Sequence, residues 1–212
     1  WTQPQPGTLY LTANEGDQTY PVQVQLNRSD TYKVHVTDNL KVSGCSLYID
    51  GIEQTPAMTP TVPGCEKDCT FTKDFTFTGT GTYHNNYAIC KDAANNSKSG
   101  TAVDVEVKTL SVDLSAVPTA GSTNTLFDLI GTVSGTITGD IPYGFDCRTD
   151  DGDCTADGNF GDCDFSITKS ETTHTEADLC QYPVTAGTYT AKVAVQRGVG
   201  TAEDTISVGP IT

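Results

Sequence analysis

Apolar and polar residues alternate along much of this chain with a period of two. "YPVQVQL" (20–26) sets Val22, Val24 and Leu26 on one face and Gln23 and Gln25 on the other. Successive side chains of a strand point to opposite faces, so a run of this kind predicts a strand with one face buried. "YKVHVTD" repeats the pattern with Tyr32, Val34 and Val36, and "AVDVEV" sets Val103, Val105 and Val107 against Asp104 and Glu106. "SVDLSAV" and "YTAKVAV" do the same later in the chain. Clusters of Gly, Pro, Asn and Asp interrupt these runs about every ten residues, and no window holds a helical apolar stripe longer than about two turns. The expectation is an all-β protein of sandwiches with about seven strands each.

The chain also resembles itself. "GTYHNNYAIC" from Gly81 matches "GTYTAKVAVQ" from Gly187, and "GTAVDVEV" from Gly100 matches "GTAEDTISV" from Gly200. Two similar endings about 100 residues apart imply two tandem domains, residues 1–109 and 110–212, with almost no linker.

Charge narrows the partners. The net charge is −15, with an isoelectric point near 4.3, so phosphate backbones are repelled and nucleic acid is not an expected partner. No apolar run approaches the roughly 20 residues of a membrane span. The chain begins at Trp1 without a charged and apolar leader, which suggests a secreted protein after removal of its signal. Asn27 in "NRS" and Asn95 in "NNS" are sequons for glycosylation.

The eight cysteines fall four per half: Cys45, Cys65, Cys69 and Cys90, then Cys147, Cys154, Cys163 and Cys180. An even count without any C-x2-C pair reads as disulfides of an oxidising compartment rather than as zinc ligands. Cys65–Cys69 and Cys154–Cys163 suit local loop staples, leaving Cys45–Cys90 and Cys147–Cys180 as long ties. Four cysteines in a domain allow three pairings, and the sequence does not choose among them.

The densest chemistry lies in "DCRTDDGDCTADGNFGDCD" (146–164), where seven of nineteen positions are aspartate. An EF-hand frame fails, because a start at Asp151 puts Thr155 at the fifth ligand position. Asp150, Asp151, Asp153 and Asp157 could still give oxygens to one calcium ion, which would relieve their mutual repulsion. The plainer reading is a solvated acidic loop closed by a disulfide. Hydrolysis would need a carboxylate pair or an activated nucleophile in a cleft, and no G-x-S-x-G, H-E-x-x-H or P-loop pattern occurs. No enzyme is therefore expected, and His174 in "ETTHTEAD" reads as a surface histidine. Sugar recognition is disfavoured as well, since the one tryptophan is Trp1.

Two stretches of the second half, "AGTYTAKVAV" (186–195) and "YGFDC" (143–147), resemble the PKD domain of microbial surface proteins, an immunoglobulin-like sandwich. Phe145 stands where that family has tryptophan, and Cys147 where it has an aromatic residue. "YAICKDAANNSKSGTAVDVEV" is similar to the terminal hairpin of bacterial and archaeal Ig-like modules, with Asn95 in place of their turn glycine. The resemblance implies two tandem immunoglobulin-like β-sandwich domains and a structural or adhesive role. It also puts Tyr83 and Tyr189 at the tyrosine-corner position, where a phenol bonds back to the backbone.

The expected function is a structural subunit of an extracellular filament, pilus-like fibre or cell-surface assembly. Thr8, Leu9, Tyr10 and Leu11, or the tail "TISVGPIT", would add a strand to the next copy's sheet and build a head-to-tail homopolymer. Ordinary first and last strands packed on their own domain are the competing account. An adhesin or ligand-binding module of a larger secreted protein is the alternative function. Calcium in the acid-rich loop predicts a melting temperature that falls when a chelator is added, whereas a solvated loop predicts no change; differential scanning calorimetry separates the two.

Overall fold

The computed structural model describes residues 5–6, 10–11, 21–150, 154–156, 160–182 and 186–212. The chain divides into two compact units, Trp1–Lys108 and Thr109–Thr212. Both are all-β sandwiches of the immunoglobulin-like class, and among the described residues the one helical piece is a short 3-10 turn at Phe160–Asp162.

Unit 1 contains β1 (Gln5–Pro6), β2 (Tyr10–Leu11), β3 (Val22–Gln25), β4 (Ser29–Thr37), β5 (Val42–Ile49), β6 (Ile52–Gln54), β7 (Thr59–Pro60), β8 (Asp68–Thr76), β9 (Gly81–Asp92), β10 (Ser97–Ser99) and β11 (Val103–Lys108). One sheet runs β1-β4-β8-β7, with β2 also on β4, and the other runs β3-β11-β9-β5-β6, with β10 on β9. The count exceeds seven because β1, β2, β6, β7 and β10 are short pieces of two or three residues added at the margins. The alternating runs put their apolar faces inward. Val22, Val24, Tyr32, Val34, Val36, Val103, Val105 and Val107 are all buried, in one cluster with Leu47, Phe71 and Ala88.

Two turns of unit 1 use residues with positive φ. Asp50 (φ 52°) and Gly51 (φ 77°) form the two-residue turn between β5 and β6, a conformation that Asp-Gly accepts readily. Asn95 has φ 65°, so it adopts the left-handed conformation that a glycine would fill at this place in the hairpin. The buried Asp92 carboxylate fixes this turn by accepting from the Ala94 and Asn96 backbone N–H groups and from the Asn96 amide. Burial pushes its pKa up, but the Asn96 and Ala94 hydrogen bonds outweigh that and hold it below the usual value.

Unit 2 contains β12 (Leu110–Val117), β13 (Leu126–Gly135), β14 (Ile141–Asp146), β15 (Phe165–Lys169), β16 (Thr173–Gln181), β17 (Gly187–Arg197) and β18 (Gly200–Ile211). Its sheets run β12-β13-β16 and β15-β14-β17-β18. The internal resemblance has a structural counterpart: β9 and β17 are interior strands, each antiparallel to the last strand of its unit.

In each unit the last strand meets an earlier segment of the chain in parallel. β11 pairs in parallel with β3, from Val105–Val22 to Lys108–Gln25, and Leu26 N–H donates to Lys108 O at 2.8 Å. In unit 2, Gly121 bridges Ile211 in parallel; Thr212 N–H donates to Gly121 O at 3.0 Å and Gly209 N–H to Thr119 O at 2.9 Å.

The register of β13 can be tested directly. Leu129 is fully buried whereas Leu126, one face over, is 44% exposed. Leu129→Ala should cost about 2–5 kcal/mol of unfolding free energy, and Leu126→Ala no more than about 0.5 kcal/mol. Urea denaturation of both variants measures the difference.

Candidate functional site

The acid-rich segment follows β14, and it does not extend freely into solvent. In β14 and β17 the alternation fails at one cross-strand pair: Gly144 opposes Ala194, and both are buried although their faces turn away from the sandwich core. What covers them is the loop itself. Cys154, Ala156 and Ala194 form a small buried cluster, with Phe160 and Cys163 packed against it. The solvated-loop reading is therefore corrected at these positions: the Cys154–Cys163 disulfide sits against the sheet with Cys154 fully buried. Gly144 permits the approach, because an added Cβ would lie 2.5 Å from Cys163 Sγ and closer still to the Phe160 ring.

Polar contacts secure the cap. Ala156 N–H donates to Glu203 Oε1 at 2.7 Å, and Lys192 Nζ lies 2.9 Å from Glu203 Oε2, so two neighbouring strands hold the loop. At its base, Thr149 N–H donates to Thr190 O, Cys147 N–H to Asp164 Oδ2 and Arg148 N–H to the buried Asp146 Oδ1. The Arg148 guanidinium lies 5.8 Å from the centre of the Tyr189 ring, which stacks on Tyr182 at 4.8 Å. Burial, then the Asp146 and Asp164 charges, push the Tyr182 phenol up to about 12.

Of the four candidate calcium ligands, Asp151, Asp153 and Asp157 lie outside the described residues. Asp150 is described, and both its oxygens accept from the Arg148 guanidinium: Nε donates to Oδ1 and Nη2 to Oδ2, each at 3.0 Å. Those hydrogen bonds hold its carboxyl below the usual aspartate range. Among the described residues no group of three His, Cys, Asp or Glu side chains could hold a metal ion.

The eight cysteines form four disulfides. Cys45–Cys90 joins directly opposed residues of β5 and β9, and Cys65–Cys69 closes a short loop entering β8. Cys147–Cys180 links the end of β14 to β16 and so ties together the two sheets of unit 2. Tyr83 makes the backbone hydrogen bond of a tyrosine corner, its hydroxyl donating to Gly79 O at 3.2 Å. Tyr189 makes the ring contacts with Arg148 and Tyr182 described above.

His174 is not a surface histidine. Its side chain is 14% exposed, its ring lies against Tyr143 and Phe145, and Nε2 is 3.1 Å from Glu176. The sequence hides this because β16 alternates polar residues on both faces. His84 pairs with Asp104 and His35 with Asp68, both near the surface. The sequon residues Asn27 and Asn95 are exposed in turns, with φ of 62° and 65°.

The terminal candidates fall as follows. Thr8 and Leu9 lie outside the described residues. Tyr10 and Leu11 pair antiparallel with Lys33 and Tyr32 of their own β4. The tail "TISVGPIT" is the end of β18, with Val208 and Ile211 buried in the unit 2 core. The tail is thus the last strand of its own sandwich, and its release would open that core. The aromatic pair Tyr48 and Tyr87 was missed in the sequence reading: the residues oppose each other on β5 and β9, and their rings stack at 5.1 Å. Both occupy outward positions of otherwise apolar-in runs, which is the signal that could have shown them.

No protein-family model matches this chain, and no curated protein matches it either. Among solved structures it is similar to the fibronectin(III)-like modules of Clostridium thermocellum CbhA, with 14% identity, TM-score 0.41, and 97% of this chain and 94% of that one covered. The full ectodomain of mouse nectin-like molecule 4 matches at 14% identity and TM-score 0.36, over 98% of this chain and 65% of that one. The D00-D0 domain of intimin matches at 11% identity and TM-score 0.31, over 95% and 98%. At these identities and scores the likeness reaches no further than the general β-sandwich class.

Gly144→Ala should lift the cap, lowering unfolding free energy by about 1–3 kcal/mol. The Cys154–Cys163 bond should then be reduced faster than in the parent protein, as read by timed alkylation and mass spectrometry.

Proposed function

We propose that this chain is a structural module of an extracellular filament or cell-surface assembly, carrying tension across the parallel contacts between an early segment and the last strand of each unit. The observation behind this reading is the parallel closure of the units. Because β3 and β11 run the same way, the chain enters one end of the paired stretch and leaves at the other. A pull through unit 1 then loads those hydrogen bonds together in shear, where an antiparallel pair would peel open bond by bond. The bridge between Gly121 and Ile211 supports the same reading for unit 2. Four disulfides suit an oxidising, extracellular setting and limit how far a strained unit can lengthen.

Copies of the chain would join head to tail through the N-terminal strands. β1 and β2 meet β4 through four residue pairs, Gln5–Thr37, Pro6–Val36, Tyr10–Lys33 and Leu11–Tyr32. Exchanging them for the same strands of the next copy replaces like with like along the β4 edge, and an exchange that does not close on itself gives a fibre. The C-terminal strand is the poorer donor, since its withdrawal exposes Val208 and Ile211.

Single-molecule pulling tests the tension-carrying role. Cys45–Cys90 withholds 45 residues and Cys147–Cys180 withholds 33 from extension. Reduction should therefore lengthen the two unfolding steps by about 160 Å and about 115 Å respectively. Both steps should occur at shear-type forces well above those of a peeled hairpin; low-force, gradual opening would overturn the role. Electron microscopy and light scattering at high concentration test the joining step, where a strictly monomeric chain would overturn polymerisation.

A further inference from the structure

The outer face of the β5–β9 pair in unit 1 has a cleft on each side of the Tyr48–Tyr87 stack. The rings are nearly parallel, at 6°, so each keeps one face turned away from its partner. Tyr48 lines a cleft of about 230 Å³ and Tyr87 one of about 420 Å³. The larger volume falls in the range of small-molecule sites, about 300–1,000 Å³. Its remaining lining is Asp50, Gly51, Asn85, Ser99, Gly100 and Ala102.

Two walls of this cleft carry unusual backbone. Asp50 sits in the β5–β6 turn at φ 52°, and Asn85 in a β-bulge of β9 at φ 53°, where the pairing with β11 shifts register between Val103 and Val105. Bulges re-aim side chains, and non-glycine residues with positive φ persist where the surroundings hold them. Here the holding group is Asn86, which is fully buried. Its Oδ1 accepts from Asp50 N–H at 3.2 Å, while its Nδ2 donates to Tyr83 O at 2.9 Å and Val103 O at 3.0 Å. Asp104 Oδ1 accepts from Asn85 N–H at 3.2 Å and steadies the bulge from outside. Both walls are thus braced by hydrogen bonds, and Cys45–Cys90 joins the same two strands three residue pairs along from the stack.

We propose that this cleft binds a neutral saccharide, with Tyr87 as the stacking platform and Asp50, Asn85 and Ser99 as partners for its hydroxyl groups. The donor set decides the ligand class. A carboxylate accepts from hydroxyls, an amide both donates and accepts, and a serine hydroxyl does either, which together match vicinal hydroxyls on a ring. The apolar C–H face of a sugar ring suits an aromatic face, and Gly51, Gly100 and Ala102 leave room for it. Among the described residues no Lys, Arg or His lines the cleft, and the chain carries −15 overall, so anionic glycans, phosphates and nucleotides are disfavoured. A quaternary ammonium would want several aromatic walls, and among the described residues this cleft has one, Tyr87. The site is independent of the tension-carrying role, and either can fail without the other.

A printed glycan array probed with the intact chain, followed by calorimetric titration of the best-retained oligosaccharide, tests the proposal. Neutral glycans should be retained, and Tyr87→Ala and Asn85→Ala should each weaken binding about tenfold or more. Ala102→Trp fills the cleft from its rim and should abolish binding, while Leu126→Ala in unit 2 should leave it unchanged. Melting temperatures identify any variant that has lost its fold; if Tyr87→Ala has, Ala102→Trp decides. Retention of no glycan, retention of sialylated or sulfated glycans alone, or equal binding by the folded Ala102→Trp variant would overturn the proposal.

Discussion

A β-strand can hide only one of its two faces, and everything in this protein follows from pairing those faces. Each sheet has an apolar side that costs free energy in water, at about 25 cal/mol per Å² of exposed apolar surface. Two sheets laid together remove that surface from both, and the clusters around Val34 and Val105 in unit 1, and Leu129 and Val193 in unit 2, are where this happens. Sandwiching alone would leave the last strand of each unit at a sheet margin. Parallel contacts at β3–β11 and at Gly121–Ile211 resolve this, because they use backbone groups that would otherwise lack partners. The buried Val208 and Ile211 bind the same closure to the hydrophobic core, so the chain end is part of what keeps unit 2 shut.

The outward faces are then free to vary, and the two units use them differently. Unit 1 keeps Tyr48 and Tyr87 side by side there, on strands joined by a disulfide. Unit 2 covers Gly144 and Ala194 with a disulfide-closed loop. In both cases a covalent bond between cysteines stiffens the surface where the usual polar-out pattern is broken. An aromatic pair and a small-residue pair are opposite departures from that pattern: one offers contact area to a ligand, and the other makes room for the chain itself.

Much of the architecture could be read from the sequence because period-two burial is a local signal. Val22, Val34, Val105 and Leu114 each announce their face through neighbours one residue away. Four disulfides were legible from an even cysteine count without zinc spacing. Other features depended on residues distant in the chain. His174 looks solvent-facing among threonines and acids, yet Tyr143 and Phe145, from a strand about thirty residues earlier, come to lie against it. Tyr48 and Tyr87 become a pair only when β5 and β9 take their register. The acid-rich segment drew attention by its charge, while its attachment rests on Gly144 and Ala194, which bear no charge at all. Composition pointed to the aspartates and packing to the smallest residues on the sheet. The lesson is general for sandwiches: alternation reveals the inner face, and the contents of the outer face emerge from cross-strand register.

The Gly144–Ala194 pair also divides the protein's mutational freedom. The loop closes on itself through Cys154 and Cys163 and rests on two nearly featureless residues, and it seats Ala156 and Phe160 there as well. Those positions, the disulfide and the small-residue seat are what the attachment requires. Related chains would therefore be expected to keep Gly144, Ala194, the two cysteines, Ala156 and Phe160 more strictly than exposed positions of the same segment. The fold carries a socket into which different inserts can be fitted, so its surface can diverge while the sandwich beneath stays the same.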